Sequence, residues 1–296
     1  MKASLQDLIA SGRPIIADGA MGTNLIDLGL EMGKPTSLWN VERPEVVRKV
    51  HREFIEAGAR IILSNSFSCN RLGLARYDMA QRAAELTQAA VQNARAEADA
   101  AAKPVVVGGS IGPTGELFEP YGTLTFDHAS SAFEELARAL AAGGADVFWI
   151  ETMSDLEEVR AAYESCRRAD PDLPVVTTMS FDTGGRTMMG VTPEQALESL
   201  KGFGPLAIGA NCGSGLDEVK TVIEKMHAAD PEVVLVAKAN AGRPRLEGDV
   251  EVYDAGPEDM ADYARAVYER GAWIVGGCCG SKPDHIRAMA RALSAA

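Results

Sequence analysis

Trp273-Ile274-Val275-Gly276-Gly277-Cys278-Cys279-Gly280 is the stretch around which the predicted fold is organised. In it, a short apolar run typical of a strand leads into two glycines and two adjacent cysteines. Earlier in the chain, Gly209-Ala210-Asn211-Cys212 places another cysteine where a second apolar run ends. Three thiolates that arrive from two strand ends form a plausible zinc site with one coordination position left open for a substrate.

Short β-branched runs alternate with helical patterns along the whole chain. Strands are predicted at residues 14–18, 60–65, 105–108, 146–151, 175–179, 206–210, 233–237 and 273–275. Each strand is followed by a helical pattern, and the units repeat at roughly thirty to forty residues, which is typical of parallel β-α-β units. The sequence therefore predicts an α/β fold, a (β/α)8 TIM barrel, as a single domain over residues 1–296.

An open, doubly wound sheet is the competing fold. It requires a glycine-rich phosphate turn after the first strand, with a helix directly behind it. Asp18-Gly19-Ala20-Met21-Gly22-Thr23 has too few glycines at the required offsets, and no helix is predicted immediately after it. The barrel is therefore the preferred fold.

Composition excludes several classes of partner. A formal net charge of −13 disfavours nucleic acid, which needs clustered lysine and arginine. Gln6 and Asp7 interrupt the apolar core that a signal peptide would need, and no apolar run approaches the ~20 residues of a membrane helix. Five cysteines in a chain of this length favour a reducing compartment, so a cytoplasmic protein is expected.

Barrel enzymes carry their chemistry at the carboxyl ends of the strands. The polar residues and thiols at these positions are Asp18, Asn65, Ser110, Glu151, Asn211, Cys212, Asn240, Cys278 and Cys279. Asp18 could instead stabilise the turn at Gly19, and Glu151 could cap a helix. Cys69 and Cys166 are expected to be small buried apolar residues. The histidines are expected to be surface residues rather than ligands: His51, His128, His227 and His285.

The ligand set indicates the chemistry. Zinc held by three thiolates is a poor Lewis acid for making hydroxide, but it can bind a further thiol and hold it as a nucleophilic thiolate. A free alkyl thiol is mostly protonated at neutral pH, so this activation would supply much of the rate. The thiolate would then displace a leaving group from a methyl carbon, a step that needs no general base.

At these residues the chain resembles the zinc-dependent homocysteine S-methyltransferase family. The resemblance is carried by Asp18-Gly19-Ala20-Met21-Gly22-Thr23, Gly209-Ala210-Asn211-Cys212 and Gly276-Gly277-Cys278-Cys279-Gly280, and it extends over essentially the whole chain. It implies a (β/α)8 barrel with zinc on the catalytic residues Cys212, Cys278 and Cys279. It also implies homocysteine as methyl acceptor and methionine as product.

The resemblance also implies roles for other strand-end residues. Asp18 and Glu151 are expected to fix the amino group of homocysteine, and Gly19 and Ser110 to supply nearby contacts. Some family members hold an Asn or Tyr in the fourth zinc position until substrate arrives, and Asn240 is the candidate here.

The resemblance also points to a methyl donor. The pattern most resembles short bacterial betaine–homocysteine methyltransferases, so betaine is the favoured donor. Trp39, Phe67 and Tyr121 fall in upper loops, where aromatic faces could hold such a cation. The chain also resembles the homocysteine-binding module of cobalamin-dependent methionine synthase. It contains no Asp-x-His-x-x-Gly cobalamin loop, so a methylcorrinoid donor would have to arrive on a separate protein.

Two hypotheses assign the chain to other functional classes. In one, Cys212, Cys278 and Cys279 form a non-catalytic zinc or thiol sensor. In the other, the chain is an aldolase-like barrel that binds phosphate at residues 276–277, with Lys238 as the strand-end candidate for a Schiff base.

Overall fold

The computed structural model describes residues 4–182, 184–247 and 250–294. The remaining residues of the predicted domain, 1–3, 183, 248–249 and 295–296, lie outside the described part. The strands are β1 Ile15–Ile16, β2 Ile61–Leu63, β3 Val106–Ile111, β4 Val147–Met153, β5 Val175–Met179, β6 Ala207–Cys212, β7 Leu235–Ala239, β8 Pro244–Glu247, β9 Val250–Tyr253 and β10 Ala272–Gly277. The helices are α1 Leu5–Ala10, α2 Met21–Asp27, α3 Trp39–Glu42, α4 Pro44–Ala57, α5 Arg71–Ala75, α6 Ala83–Ala100, α7 Phe126–Gly143, α8 Leu156–Ala169, α9 Pro193–Lys201, α10 Leu216–Ala229, α11 Pro257–Glu269 and α12 Pro283–Ser294.

The main sheet is a closed parallel barrel. Its eight strands follow the order β1-β10-β7-β6-β5-β4-β3-β2, and every neighbouring pair is parallel. A parallel bridge between Ala17 and Ile61 joins the two ends of this order. The Arg60 amide donates to the Ile16 carbonyl across the same seam at 2.7 Å. The predicted (β/α)8 barrel is confirmed.

The apolar core divides into two layers because successive strand residues point to opposite faces of the sheet. The inner layer fills the barrel and contains Ile61, Val106, Trp149 and Val236. Leu5 of α1 belongs to the same layer, so this short helix closes the amino end of the barrel. The outer layer consists of the alternate strand residues packed against the surrounding helices.

Two helix starts show how local sequence sets the helix ends. Thr192 and Gln195 form a capping box at the start of α9. At the start of α8 the capping residue is Asp155 and not the preceding Ser154. The carboxylate of Asp155 accepts a hydrogen bond from the Glu157 amide at 2.8 Å.

Three local features differ from the sequence prediction. A short helix, α2, follows β1 after all, although the barrel topology makes the doubly wound alternative irrelevant. The hairpin β8–β9 was not predicted, and it packs the Tyr253 ring against Gly280, where a Cβ would lie 2.4 Å from Tyr253 Cγ. His51 is fully buried in α4 rather than exposed, and burial lowers its pKa to about 3.

Among the described helices, none combines the length and the apolar character needed to cross a membrane.

Candidate active site

The two-residue alternation of the barrel places polar residues inside its carboxyl end. On β4, Val147 and Trp149 point into the barrel, so Glu151 two residues later points into its mouth. The same count from inner-layer residues of the other strands reaches Ser110, Thr178, Asn211, Lys238 and Cys278. These residues form the lining of the candidate site, and their positions follow from strand register alone.

The three predicted ligand cysteines converge at this end. All three sulfur atoms lie within 4.8 Å of one another, and Cys212 Sγ is 3.8 Å from Cys279 Sγ. Sulfur atoms at two corners of a zinc tetrahedron, with bonds of about 2.3 Å, stand about 3.8 Å apart. The sulfur set therefore fits zinc in both spacing and ligand type.

Cys212 reaches the cluster through an unusual backbone conformation. As the neighbour of the inward-facing Asn211, it would point outward in a regular strand. Its φ of +63°, in the left-handed region, turns its side chain toward Cys279 instead. Non-glycine residues seldom adopt this region, and strain of this kind concentrates at functional sites.

The thiols of Cys212 and Cys278 both resist ionisation. Hydrogen bonds with Cys278 and Cys279 raise the pKa of the Cys212 thiol, and burial raises it further. Three adjacent thiolates therefore require a bound cation to offset their charge.

Asn240 holds the two cysteine-bearing segments together. Its Oδ1 accepts a hydrogen bond from the Cys279 amide at 3.0 Å, and its Nδ2 donates to the Gly213 carbonyl at 2.9 Å. Both polar atoms of the side chain are thus bonded to backbone beside the cysteines. Asn240 thus bridges the two loops that carry the cysteines, and its assignment as the fourth metal ligand stays a prediction.

A buried ion pair lies beside the cluster. Lys238 Nζ is 2.6 Å from Asp18 Oδ1, and both side chains are 2% exposed. Asp18 Oδ2 accepts a further bond from the Leu63 amide at 2.7 Å. Burial raises the pKa of Asp18, and the charge of Lys238 opposes that effect. The structure does not favour the aldolase hypothesis. The Lys238 ammonium donates hydrogen bonds to the carboxylate and the backbone carbonyl of Asp18, so it is not a free amine that could form a Schiff base.

Glu151 is the second carboxylate of the site. Its Oε1 accepts a hydrogen bond from Ser110 Oγ, whereas Oε2 has no hydrogen-bond partner among the described residues. Burial raises the pKa of Glu151 to about 7, with the charge of Lys238 opposing and that of Cys278 adding to the shift. Glu151 therefore changes charge near neutral pH and offers one oxygen to a ligand.

Gly19 lies at the end of β1, on the same side as the cysteines. A Cβ on this residue would stand 2.9 Å from both the Phe54 ring and the Ser281 carbonyl oxygen. The position therefore admits no side chain. This close approach brings the β1 end against the segment that follows Cys278 and Cys279.

The three aromatic residues predicted for a donor cage differ in burial and in surroundings. Trp39 is 7% exposed, belongs to the outer core and has the Arg43 guanidinium 4.8 Å from its ring centre. Tyr121 is 76% exposed. Phe67 is 41% exposed and lies across Gly112, after β3 at the carboxyl end of the barrel. Of the three, Phe67 alone combines exposure with a position against a strand end.

Cavities outside the barrel mouth contain no part of this cluster. One of about 920 Å³ lies at the amino end, lined by residues such as Arg13, Arg52 and Lys103. Another of about 380 Å³ adjoins the loop after Cys212, between Gly215 and Arg243. Neither cavity is therefore the candidate site, which is defined by the cysteines and carboxylates in the barrel mouth.

Asn211 and Lys238 are the residues whose importance the sequence analysis missed. The strand-end pattern marks Asn211 only as one polar residue among several and Lys238 only as a candidate for a Schiff base. Counting in steps of two from the apolar inner-layer positions of β6 and β7 would have found both.

Comparisons with known proteins agree with this site. A sequence model of the family described as homocysteine S-methyltransferase matches residues 15–293. The chain belongs to the homocysteine S-methyltransferase family. Two relatives are the methionine synthases of Mycobacterium leprae (strain TN) and Mycobacterium tuberculosis (strain ATCC 25618 / H37Rv), each 34% identical to it. The matches cover 95% and 97% of this chain but only 24% and 25% of those proteins, so the chain spans about a quarter of their length.

Solved structures show the same fold. The metallated form of the homocysteine methyltransferase MmuM from Escherichia coli superposes with a TM-score of 0.81 at 24% identity, over 97% of this chain and 99% of that one. A methyltransferase from Methanosarcina mazei superposes with a TM-score of 0.60 at 13% identity, over 96% and 94%. At these identities the likeness concerns the fold alone.

The buried ion pair gives a stability prediction. We expect Lys238→Met to lower the free energy of unfolding by about 3 kcal/mol at neutral pH, because the Asp18 carboxylate loses its cation while remaining buried. Adding Asp18→Asn to this variant should recover at least half of the loss, since no uncompensated charge is then left. Denaturant unfolding of the single and double variants measures both effects.

Lys34→Met is the matched control, because Lys34 pairs with Glu31 at 2.7 Å on the exposed surface. Its unfolding midpoint should equal that of the unmodified protein. A Lys238→Met protein as stable as this control would contradict the prediction.

Proposed function

We propose that this chain transfers a methyl group to the sulfur of homocysteine, in a zinc-dependent reaction that gives methionine. The observation that carries the proposal is the convergence of Cys212, Cys278 and Cys279 beside Glu151 in the barrel mouth. Family membership over residues 15–293 supports the same acceptor. Residues 1–296 would then act as one homocysteine-binding domain.

The protein would bind homocysteine at two points, the thiol and the amino group. Cys212, Cys278 and Cys279 would hold zinc, which when bound lowers the pKa of a further thiol and keeps it as a thiolate. Glu151 would accept a hydrogen bond from the amino group of homocysteine through Oε2, while Ser110 holds Oε1. Asp18, held in place by its ion pair with Lys238, would lie at the same end and help to fix the amino group. Gly19 would contribute backbone contacts with the amino acid.

The net reaction forms one S–CH3 bond and breaks the bond between the methyl group and its donor. The thiol proton is released to solvent. This step needs no general base, because zinc on the cysteines would lower the pKa of the acceptor thiol.

Betaine is the first candidate donor, on the strength of the sequence pattern. Phe67 is the aromatic residue best placed to face a quaternary ammonium group, because it is exposed and lies against a strand end. Trp39 is packed in the core and does not support this donor.

A methylcorrinoid carried on a separate protein or domain is the second candidate, and two observations favour it. The similar methionine synthases are about four times longer than the match, so they contain further domains. In addition, the exposed large apolar residues of the described chain all lie in segments that follow strands at the carboxyl end: Ile26, Leu28, Met32, Phe67, Tyr77, Leu117, Tyr121 and Met188. Apolar exposure at one end is typical of a surface that meets another macromolecule.

A methionine assay decides both acceptor and donor. Zinc-loaded protein with homocysteine should form methionine with betaine, together with dimethylglycine, if betaine is the donor. Methionine with methylcobalamin alone would indicate a corrinoid system. S-methylmethionine and S-adenosylmethionine are the next donors to test. Zinc binding without methionine from any of these donors would contradict the proposal and support the sensor reading.

The cysteines provide a direct test of the metal site. We expect Cys212→Ala, Cys278→Ala and Cys279→Ala each to lose activity and bound zinc, because two thiolates hold the ion weakly. Metal content after dialysis and methionine formation are the measurements. Cys166→Ala is the matched control, since Cys166 is fully buried in α8, away from the cluster. Full activity in a zinc-free Cys278→Ala protein would refute the mechanism.

The raised pKa of Glu151 predicts a pH dependence. Below its pKa of about 7 the carboxyl group is neutral and holds an ammonium group poorly; above it, the charge is present. The KM for homocysteine of Glu151→Gln, divided by that of the unmodified protein, should therefore rise as pH increases from about 6 to about 8. We expect it to reach about tenfold, as for loss of one charged hydrogen bond. The ratio cancels the titration of the homocysteine thiol, and a ratio independent of pH would exclude this role.

A further inference from the structure

We propose that Asn211 is a positioning residue that sets the separation between the cysteine cluster and the amine anchor, and thereby selects homocysteine over shorter thiols. The inference rests on the proposed function. Asn211 is fully buried at the inner face of β6, beside the ligand Cys212. Its amide makes hydrogen bonds to three other elements of the barrel.

The orientation of the amide follows from its partners. The Thr152 backbone N–H lies 2.8 Å from one amide atom and can only donate, so that atom is the carbonyl oxygen. Thr178 Oγ1 donates to the same oxygen at 2.6 Å. The nitrogen therefore faces Thr152 Oγ1 at 2.7 Å and Cys278 Sγ at 3.7 Å. An N–H group is thus directed at a sulfur of the proposed metal site.

Asn211 lies next to two strained backbone positions, one bonded to its amide and one adjacent in the chain. Thr152 and Cys212 both have φ of +63°, and only one other non-glycine residue of the described chain, Asp78, has positive φ. For a β-branched residue such as Thr152 this conformation is unfavourable and persists only when its surroundings hold it. Asn211 bonds Thr152 through two atoms and is the chain neighbour of Cys212.

These contacts connect the two ends of the substrate site. Thr152 directly follows Glu151, the proposed anchor of the amino group, whereas Cys278 belongs to the end that receives the thiol. A bound amino acid thiol must span the distance between these ends. Because Asn211 bonds both, it fixes that distance, and homocysteine exceeds cysteine by one methylene group. Discrimination of one methylene is worth about 10- to 200-fold in a fitted site.

The test uses cobalt(II) in place of zinc, because the sulfur-to-cobalt absorption reports on the cysteines without turnover. In Asn211→Ala we expect this absorption to shift and zinc affinity, measured by chelator competition, to fall about ten- to a hundredfold. The preference for homocysteine over cysteine, measured as the thiol-induced change in the cobalt spectrum, should fall at least tenfold.

Asn93→Ala is the matched control, because Asn93 is a buried asparagine of α6 whose Nδ2 donates to the Asn40 carbonyl at 3.0 Å. It should leave the cobalt spectrum and the thiol preference unchanged, even where it lowers the melting temperature. Thr152→Gly tests whether Asn211 acts only by stabilising the strained backbone of Thr152, since glycine adopts positive φ without cost. Adding it to Asn211→Ala should not restore the spectrum.

An Asn211→Ala protein with normal zinc affinity, spectrum and thiol preference would overturn the inference, as would full rescue by Thr152→Gly. Failure of the proposed function gives a different result. In that case the cobalt spectrum of the unmodified protein would not respond to homocysteine, while the spectrum without thiol would still report the bond between Asn211 and Cys278.

Discussion

Closure of the parallel barrel is the constraint on which the rest of this structure depends. Once Ala17 bridges Ile61, every strand has two neighbours, and the inward or outward direction of each side chain is fixed by register. Apolar residues such as Val106 and Val236 fill the inside of the barrel. Beyond this apolar layer, at the carboxyl end of the strands, the inward-pointing positions line the mouth of the barrel. The chain places carboxylates, amides and thiols at those positions.

The site concentrates groups that would be costly to bury singly. Asp18 and Lys238 are both 2% exposed and compensate each other at 2.6 Å. Glu151 has no such partner, so its pKa rises to about 7 and its charge becomes sensitive to pH. Hydrogen bonds with the neighbouring thiols raise the pKa of Cys212, and burial adds to this rise. A metal ion would offset the charge of the thiolates and bind the thiol of the proposed acceptor, and the ammonium group of the same acceptor would pair with Glu151.

Strain at the strand ends completes the arrangement. A regular strand would turn Cys212 away from Cys279, and its left-handed backbone brings the two sulfur atoms to 3.8 Å. Thr152 shows the same distortion next to Glu151. One buried amide, that of Asn211, contacts the residues at both places, so the geometry of the site depends on a residue that offers no chemistry of its own.

The sequence by itself determined the barrel, its eight main strands and the three cysteines, because hydrophobic periodicity and the positions where apolar runs end are local properties. Parallel strands bring those ends to one edge whatever the side chains are. Only the tertiary structure decided which side chains pair, bond or pack with one another. It paired Lys238 with Asp18 across 220 residues, used Asn240 as a bridge between loops, and packed Trp39 into the core. Such pairings depend on strand register, side-chain rotamers and backbone strain, which no short stretch of sequence contains.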